Sequence, residues 1–384
     1  MRTVSNISQI LHPLEEAIKN IFIPALVSQN ITVDERSLIS LPPRLGGLGI
    51  VNPQEMCDAE YTNSKMLSEQ LTNFIITQNV DGEIDKEKLN KSKQEIRLKR
   101  RAHQENLLEN LKAKMEPDKL RLLEASLEKG ASNWLSCLPL TEYGFNLNKQ
   151  EFRDSLKLRY GWKLDNLPTT CPCGNDFSVS HAMSCKLGGF IHTRHNEVRD
   201  LTAGLLREVC VDVSTEPALQ PIGTRRLKYR TANRADDARL DVSARNFWQR
   251  VQRVFADVRV FHPSAPRLLS SSLQQLHKNH EQEKRRCYNE RIIQVEQGTF
   301  TPLVFTTSGG MSRECSRFYS RLAHLISEKR GESYSNTTTW LRCRLSFSLL
   351  RSAILCMRGT RATHHHNSTD STTFDLARIE ANIK

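Results

Sequence analysis

Two groups of side chains in this sequence have types and spacings suited to chemistry. The first is Cys171-x-Cys173, then seven residues, His181, three residues and Cys185. Three thiolates and one imidazole make up the soft sulfur and nitrogen donor set that tetrahedral Zn²⁺ prefers, and here all four fall within fifteen residues. Gly174 permits the tight turn that brings both sulfurs to one ion, and Pro172 stiffens the pair. A complete ligand set leaves no open coordination position, so the expected zinc is structural and not catalytic. The plainer reading is four unrelated buried residues.

The second group is a pair of aspartates. Residues 239–244 alternate, with Leu240, Val242 and Ala244 on one face and Asp241 and Ser243 on the other. Residues 254–260 repeat the pattern, with Val254, Ala256, Val258 and Val260 opposed to Asp257 and Arg259. If the two strands pair, the carboxylates become neighbours and form a hard oxygen site for Mg²⁺ or Mn²⁺. Such a site activates water and stabilises charge on a phosphate under attack. Arg259 stands on the same face as Asp257, suited to a bidentate phosphate contact, and Glu197 on a preceding helix is a candidate third carboxylate. The plainer reading is two aspartates facing solvent from a half-exposed sheet.

Other elements must position these groups. The 384 residues allow two or three domains at roughly 150 residues each. Residues 1–90 hold 7 Lys+Arg against 12 Asp+Glu, and the remainder holds 48 against 31, a net of +17. Basic clusters at Arg97-Leu98-Lys99-Arg100-Arg101, Arg225-Arg226 and Lys284-Arg285-Arg286 suit a polyanion such as nucleic acid, although any one of them alone reads as a solvated helix face. The Gly46-Gly47-x-Gly49 loop lacks the Lys-Ser/Thr of a phosphate-binding loop and reads as structural.

Helical patterns fill 54–130, with Leu107, Leu108, Leu111 and Met115 at helical spacing, and a further helix covers 149–160. A helix near His195 carries Val198, Leu201, Leu205 and Val209, and strands follow Glu216-Pro217. Next come a charged helix over 272–295, a strand over 300–305 and two amphipathic helices. From Gly359 the composition predicts a disordered tail in which His364 to His366 are solvated. No secretory signal and no apolar run of membrane-spanning length occurs, so ten cysteines read as reduced thiols and membrane partners are not expected.

The order of these features resembles the C-terminal end of non-LTR retrotransposon polyproteins that carry a restriction-enzyme-like endonuclease. The resemblance rests on the CCHC cluster, Arg194-His195-Asn196, strand-borne Asp241, and Asp257 in Asp257-Val258-Arg259-Val260. The string Leu41-Pro42-Pro43-Arg44-Leu45-Gly46-Gly47-Leu48-Gly49-Ile50 similarly looks like the tail of a reverse-transcriptase thumb. The implied fold is mixed α/β: a mostly helical N-terminal part, a small CCHC zinc module and a PD-(D/E)XK restriction-enzyme-like α/β core. The implied divisions are a thumb remnant over 1–52, a helical linker over 53–165, a zinc knuckle over 166–190, an endonuclease over 191–358 and a tail over 359–384.

By the same resemblance Asp241 and Asp257 take the two metal-binding aspartate roles, Lys284 serves as catalytic lysine and Tyr288 accompanies it one helical turn on. Arg194, His195, Asn196, Arg225, Arg226, Arg285 and Arg286 would meet nucleic acid. The implied activity nicks one strand of target DNA in the nucleus, and the 3′-hydroxyl primes reverse transcription of the element's RNA. The sequence departs from the family in three places. Arg239-Leu240 precedes Asp241 where a proline is usual, Arg259 replaces the usual lysine, and no Tyr-x-Asp-Asp occurs. The chain therefore reads as a fragment whose polymerase portion is missing. The alternatives are a catalytically inactive nucleic-acid-binding remnant and a helical interaction protein built on 54–160.

Overall fold

Capping side chains in the sequence set where most helices begin. The computed structural model describes residues 2–78 and 82–361, and the chain divides into two compact units between Leu123 and Glu124. The tail from residue 362 on, with His364 to His366, lies outside the described residues.

The first unit contains helices α1 (Ser8–Ala17), α2 (Ile23–Val27), α3 (Val33–Ser40), α4 (Pro53–Ile76) and α5 (Lys86–Lys112). Thr32 and Glu35 form a reciprocal capping box at α3, and Asn52 and Asp85 cap α4 and α5. Its centre holds a buried ion pair: Arg36 donates to both carboxylate oxygens of Glu15 at 2.6 and 2.7 Å. The same guanidinium donates to the carbonyls of Ile50 and Val51, tying α1 and α3 to the chain beyond the glycine loop. That loop folds back on α3, with Gly49 N–H bonded to Leu41 O at 2.8 Å. A Cβ at Gly47 would meet Leu41 O at 1.9 Å, so this glycine is present for close backbone approach. Leu108 and Leu111 are buried, while Met115 falls in the turn after α5.

Helix α6 (Pro117–Leu127) carries the division. The second unit continues with α7 (Lys149–Tyr160), α8 (Val179–Ala182), α9 (Phe190–Val209), α10 (Leu273–Arg291), α11 (Arg313–Arg330) and α12 (Tyr334–Arg358). Its sheet runs β1 (Val211–Thr215), β2 (Val242–Arg245), β3 (Arg253–Phe261) and β4 (Thr299–Thr306) in that order. The pairings β1–β2 and β2–β3 are antiparallel; β3–β4 is parallel and uses α10 as its crossover. The chain is thus mixed α/β.

One face of the sheet, through Val242, Ala244, Val254 and Val258, packs on Val198, Phe318 and Leu322 of α9 and α11. The other face presents Phe255 and Phe261 toward the α10 side, so β3 is buried on both faces. Two strand expectations are corrected. β1 precedes Glu216-Pro217 and carries Val211, Val213 and Thr215 in a short run interrupted by a bulge between Val211 and Ser214. β2 starts at Val242, three residues after residue 239. Leu240 leaves the alternation and packs with Leu219 and Phe255, because the backbone bends at Asp241. Leu164, Ala182 and Met183 share a core with Cys356 and Met357 of α12.

His262, just past β3, is 8 % exposed, with Nδ1 3.1 Å from Thr307 Oγ1 and Nε2 3.5 Å from Ser180 Oγ. Burial, aided by the charge of Arg194, lowers it to about 4. In the unfolded chain it titrates near about 6.5, so between those values the unfolded state binds the extra proton. Stability that is fully present above about 6.5 is therefore lost as pH falls toward 4, by about 3 kcal/mol. Urea titrations of wild type and His262→Gln are expected to show the cost of the substitution shrinking by about that amount between pH 7 and pH 4. A cost independent of pH would refute the assignment.

Candidate functional site

The CCHC residues converge. Residues 169–177 form a tight hairpin in which Phe177 N–H bonds to Thr169 O, Cys171 N–H to Asn175 O, and Gly174 N–H to Cys171 O. Gly174 takes φ +88°, the left-handed turn that only glycine adopts cheaply. Ser178 caps α8 through His181 N–H, and one turn later Cys185 N–H reaches His181 O at 2.7 Å. The hairpin thus brings Cys171 and Cys173 to face His181 and Cys185. All four ligand atoms lie within 4.8 Å of one another, with Cys171 Sγ–Cys185 Sγ and Cys173 Sγ–Cys185 Sγ at 3.9 Å and Cys173 Sγ–His181 Nε2 at 3.3 Å. Tetrahedral zinc with its usual bond lengths needs sulfur–sulfur edges of about 3.7 Å. The Asn175 amide donates to Cys173 Sγ and draws that thiol down to about 6, toward the thiolate a metal requires. This cluster can hold a metal ion such as zinc.

The aspartates also meet. Val242 pairs with Ala256, and Asp241, at the bend just before β2, reaches the β3 backbone beside Asp257. Asp241 Oδ2 accepts the Val258 N–H at 2.5 Å and lies 3.1 Å from His195 Nε2, at the start of α9. Asp257 is 5 % exposed. Its Oδ2 carries an ion pair with Lys284 Nζ of α10, off the line of a good hydrogen bond. Burial raises Asp257 to about 6; Lys284 pulls it down and the neighbouring charge of Asp241 pushes it up. Burial opposes the charged form of His195, but the hydrogen bond and charge of Asp241 outweigh it and its pKa is raised. Each carboxylate already has a cationic or donor partner of the chain: Lys284 on Asp257, His195 and Val258 N–H on Asp241.

The remaining candidates separate into those that join this pair and those that do not. Arg259 shares the Asp257 face and is ion-paired with Glu283 of α10 at 3.0 Å. The Tyr288 ring centre lies 5.9 Å from Lys284 Nζ, and burial raises its hydroxyl to about 12. Glu197 does not join the carboxylates. Two residues after His195, it turns to a cleft lined by Tyr143, Phe145, Arg344 and Arg351, where burial raises its pKa. Arg194 is not a surface contact: it is 2 % exposed and donates to Met183 O at 3.2 Å, between His181 and Cys185 in sequence. Asn196 is exposed and contacts His195 at 3.4 Å.

Arg225, Arg226 and Arg286 are exposed, whereas Arg285 holds both oxygens of Glu314. Periodicity distinguishes the faces of a helix but not its neighbours, which is why residues 194–197 divide among three surroundings. The contact of His195 with Asp241 and the brace of Glu283 on Arg259 were not foreseen; the only advance signal was their closeness in sequence to Arg194 and Lys284.

No helix among the described residues is long and apolar enough to cross a membrane. In comparisons with known proteins, no family model matches the chain and no curated protein is significantly similar to it.

Proposed function

We propose that the chain is the C-terminal part of a non-LTR retrotransposon polyprotein, with a restriction-enzyme-like core that nicks one strand of nuclear target DNA. The observation that carries this reading is the pair Asp241 and Asp257, brought together where β2 begins beside β3, with Lys284 on one carboxylate and His195 on the other. Asp241 and Asp257 are the residues that would hold Mg²⁺ or Mn²⁺, which when bound supplies Lewis-acid stabilisation of charge on the phosphate.

The chain's own groups do the rest. Val258 N–H and His195 fix the Asp241 carboxylate in one orientation. Lys284 contributes positive charge beside Asp257, where negative charge develops on a reacting phosphate. Arg259 is always charged, so it serves electrostatically and not as a base. Exposed Arg225, Arg226 and Arg286 contact phosphates, and the CCHC zinc is structural, holding the hairpin to the α8 segment that Arg194 ties to α9. Element RNA is a second nucleic-acid partner, and the 3′-hydroxyl left by the nick primes its copying.

The rival reading, an inactive nucleic-acid-binding remnant, draws on Arg259, which stands where the family has lysine and is braced by Glu283. Conversion of supercoiled plasmid to open circles separates the two. With zinc retained, the full chain is expected to nick in Mg²⁺ or Mn²⁺ and not in EDTA. Salt-sensitive DNA binding without nicking in either ion would establish the remnant instead.

A further inference from the structure

We propose that Lys284 is a placeholder for the divalent ion, a side-chain cation that occupies the carboxylate of Asp257 until metal displaces it; this rests on the reading of Asp241 and Asp257 as the metal pair. The argument begins with burial. Asp257 is 5 % exposed and lies beside Asp241, so the site concentrates two like charges away from water. A buried carboxylate without a counter-charge is costly, and the fold supplies one from within the chain. Lys284 Nζ is ion-paired to Oδ2 of Asp257, and Asp257 Oδ2 has no well-aligned hydrogen-bond donor besides. An ammonium and a metal ion drawn to the same buried carboxylate repel one another, so each weakens the hold of the other. Metal binding and the Lys284 contact are therefore competitive.

Three features make the lysine displaceable. Its side chain is 20 % exposed, against 8 % for that of Asp257, so the lysine is the more accessible partner of the pair. It borders a cleft of about 450 Å³ shared with Thr231, Asn279, Glu283 and Tyr288. The Tyr288 ring, 5.9 Å from Nζ, offers the moving ammonium a cation–π surface on the same helix. Arg259 has no comparable freedom because Glu283 holds it. Lysine suits this task better than arginine: a single point charge on a flexible stem can leave without breaking a bidentate fork. The site would thus stay paired in the absence of metal, and release of Lys284 into the cleft would deliver a positive charge beside it when metal binds.

The test measures metal binding apart from cleavage. Loss of the free Mn²⁺ electron paramagnetic resonance signal is titrated for the full, zinc-retaining chain as wild type, Lys284→Met, Lys284→Gln and Asp257→Asn. Removing the competitor is expected to tighten Mn²⁺ binding about tenfold or more in Lys284→Met, with Lys284→Gln as the variant that keeps a polar head should the methionine variant fail to fold. Asp257→Asn is expected to lose the site. Equal or weaker binding in the folded lysine variants, with Asp257→Asn still defective, overturns the placeholder and leaves the metal pair intact. Binding that is absent, or insensitive to Asp257→Asn, overturns the metal pair and the placeholder with it.

Discussion

Asp257→Asn is expected to lower metal-dependent nicking about a thousandfold or more, while DNA affinity stays within about threefold and the protein remains folded. The size of the effect follows from what the substitution removes. Asparagine keeps the shape of the side chain but offers one neutral oxygen in place of a charged pair, and several kcal/mol of charge stabilisation at a reacting phosphate is worth three decades of rate. The fold should tolerate it. Burial already pushes Asp257 up to about 6, so its ionised form is held at a cost that a neutral amide does not carry. Lys284, left without its partner, has the open cleft beside it.

Asp241→Asn should be equally inactive for a related reason. Its remaining oxygen can still accept Val258 N–H, but the charge that faces His195 and Asp257 is gone. The measurement is plasmid nicking beside a gel-shift titration at two salt concentrations, with a circular-dichroism melt for each variant. Nicking by either variant within tenfold of wild type would remove the aspartate pair from the reaction.

How much of this was legible in the sequence depends on the range of the interaction. Local devices were readable: α7 occupies the 149–160 segment, Gly174 makes the turn its position implied, and the four CCHC side chains meet as their spacing required. The β3 alternation placed Asp257 and Arg259 together, and the β2–β3 pairing brought Asp241 to the Val258 N–H beside them. What could not be read was tertiary. Leu240 fits the alternation perfectly as letters, yet the bend at Asp241 sends it to the opposite core with Phe255. Arg194 resembles a surface cation until Met183 and Cys356 close over it, and Glu197 faces a cleft that only the packing of α12 creates. In each case the residue type was right and the neighbour came from a distant part of the chain.

Loss of the CCHC metal is expected to unfold more than the hairpin that holds it. The cluster draws Cys171 and Cys173 of the hairpin to His181 and Cys185 beyond it, so a metal there would join two segments whose own hydrogen bonds are local. Structural zinc contributes about 10 kcal/mol or more to small domains that fold around it. Here the consequence should spread. Ala182 and Met183 lie between the last two ligands and pack on Ala353, Cys356 and Met357 of α12, while Phe177 and Phe190 cover the same patch. Arg194 is buried against Met183, so displacing that segment uncovers a guanidinium whose partners are the Met183 carbonyl and two sulfurs.

Cys171→Ser and Cys185→Ser should therefore lose one equivalent of zinc and drop the melting temperature by about 10 °C or more, given roughly 2–4 °C per kcal/mol for a unit of this size. Cys210→Ser, a thiol outside the cluster, should keep both the zinc and the melt. Cobalt substituted for zinc would report the ligands directly, through the thiolate charge-transfer bands of a tetrahedral three-sulfur, one-nitrogen site. Zinc bound at less than half an equivalent by wild type, or a melt unchanged by chelation, would return the four residues to an ordinary buried cluster. In that case the hairpin would have to be held by Phe177, Met183 and Arg194 alone.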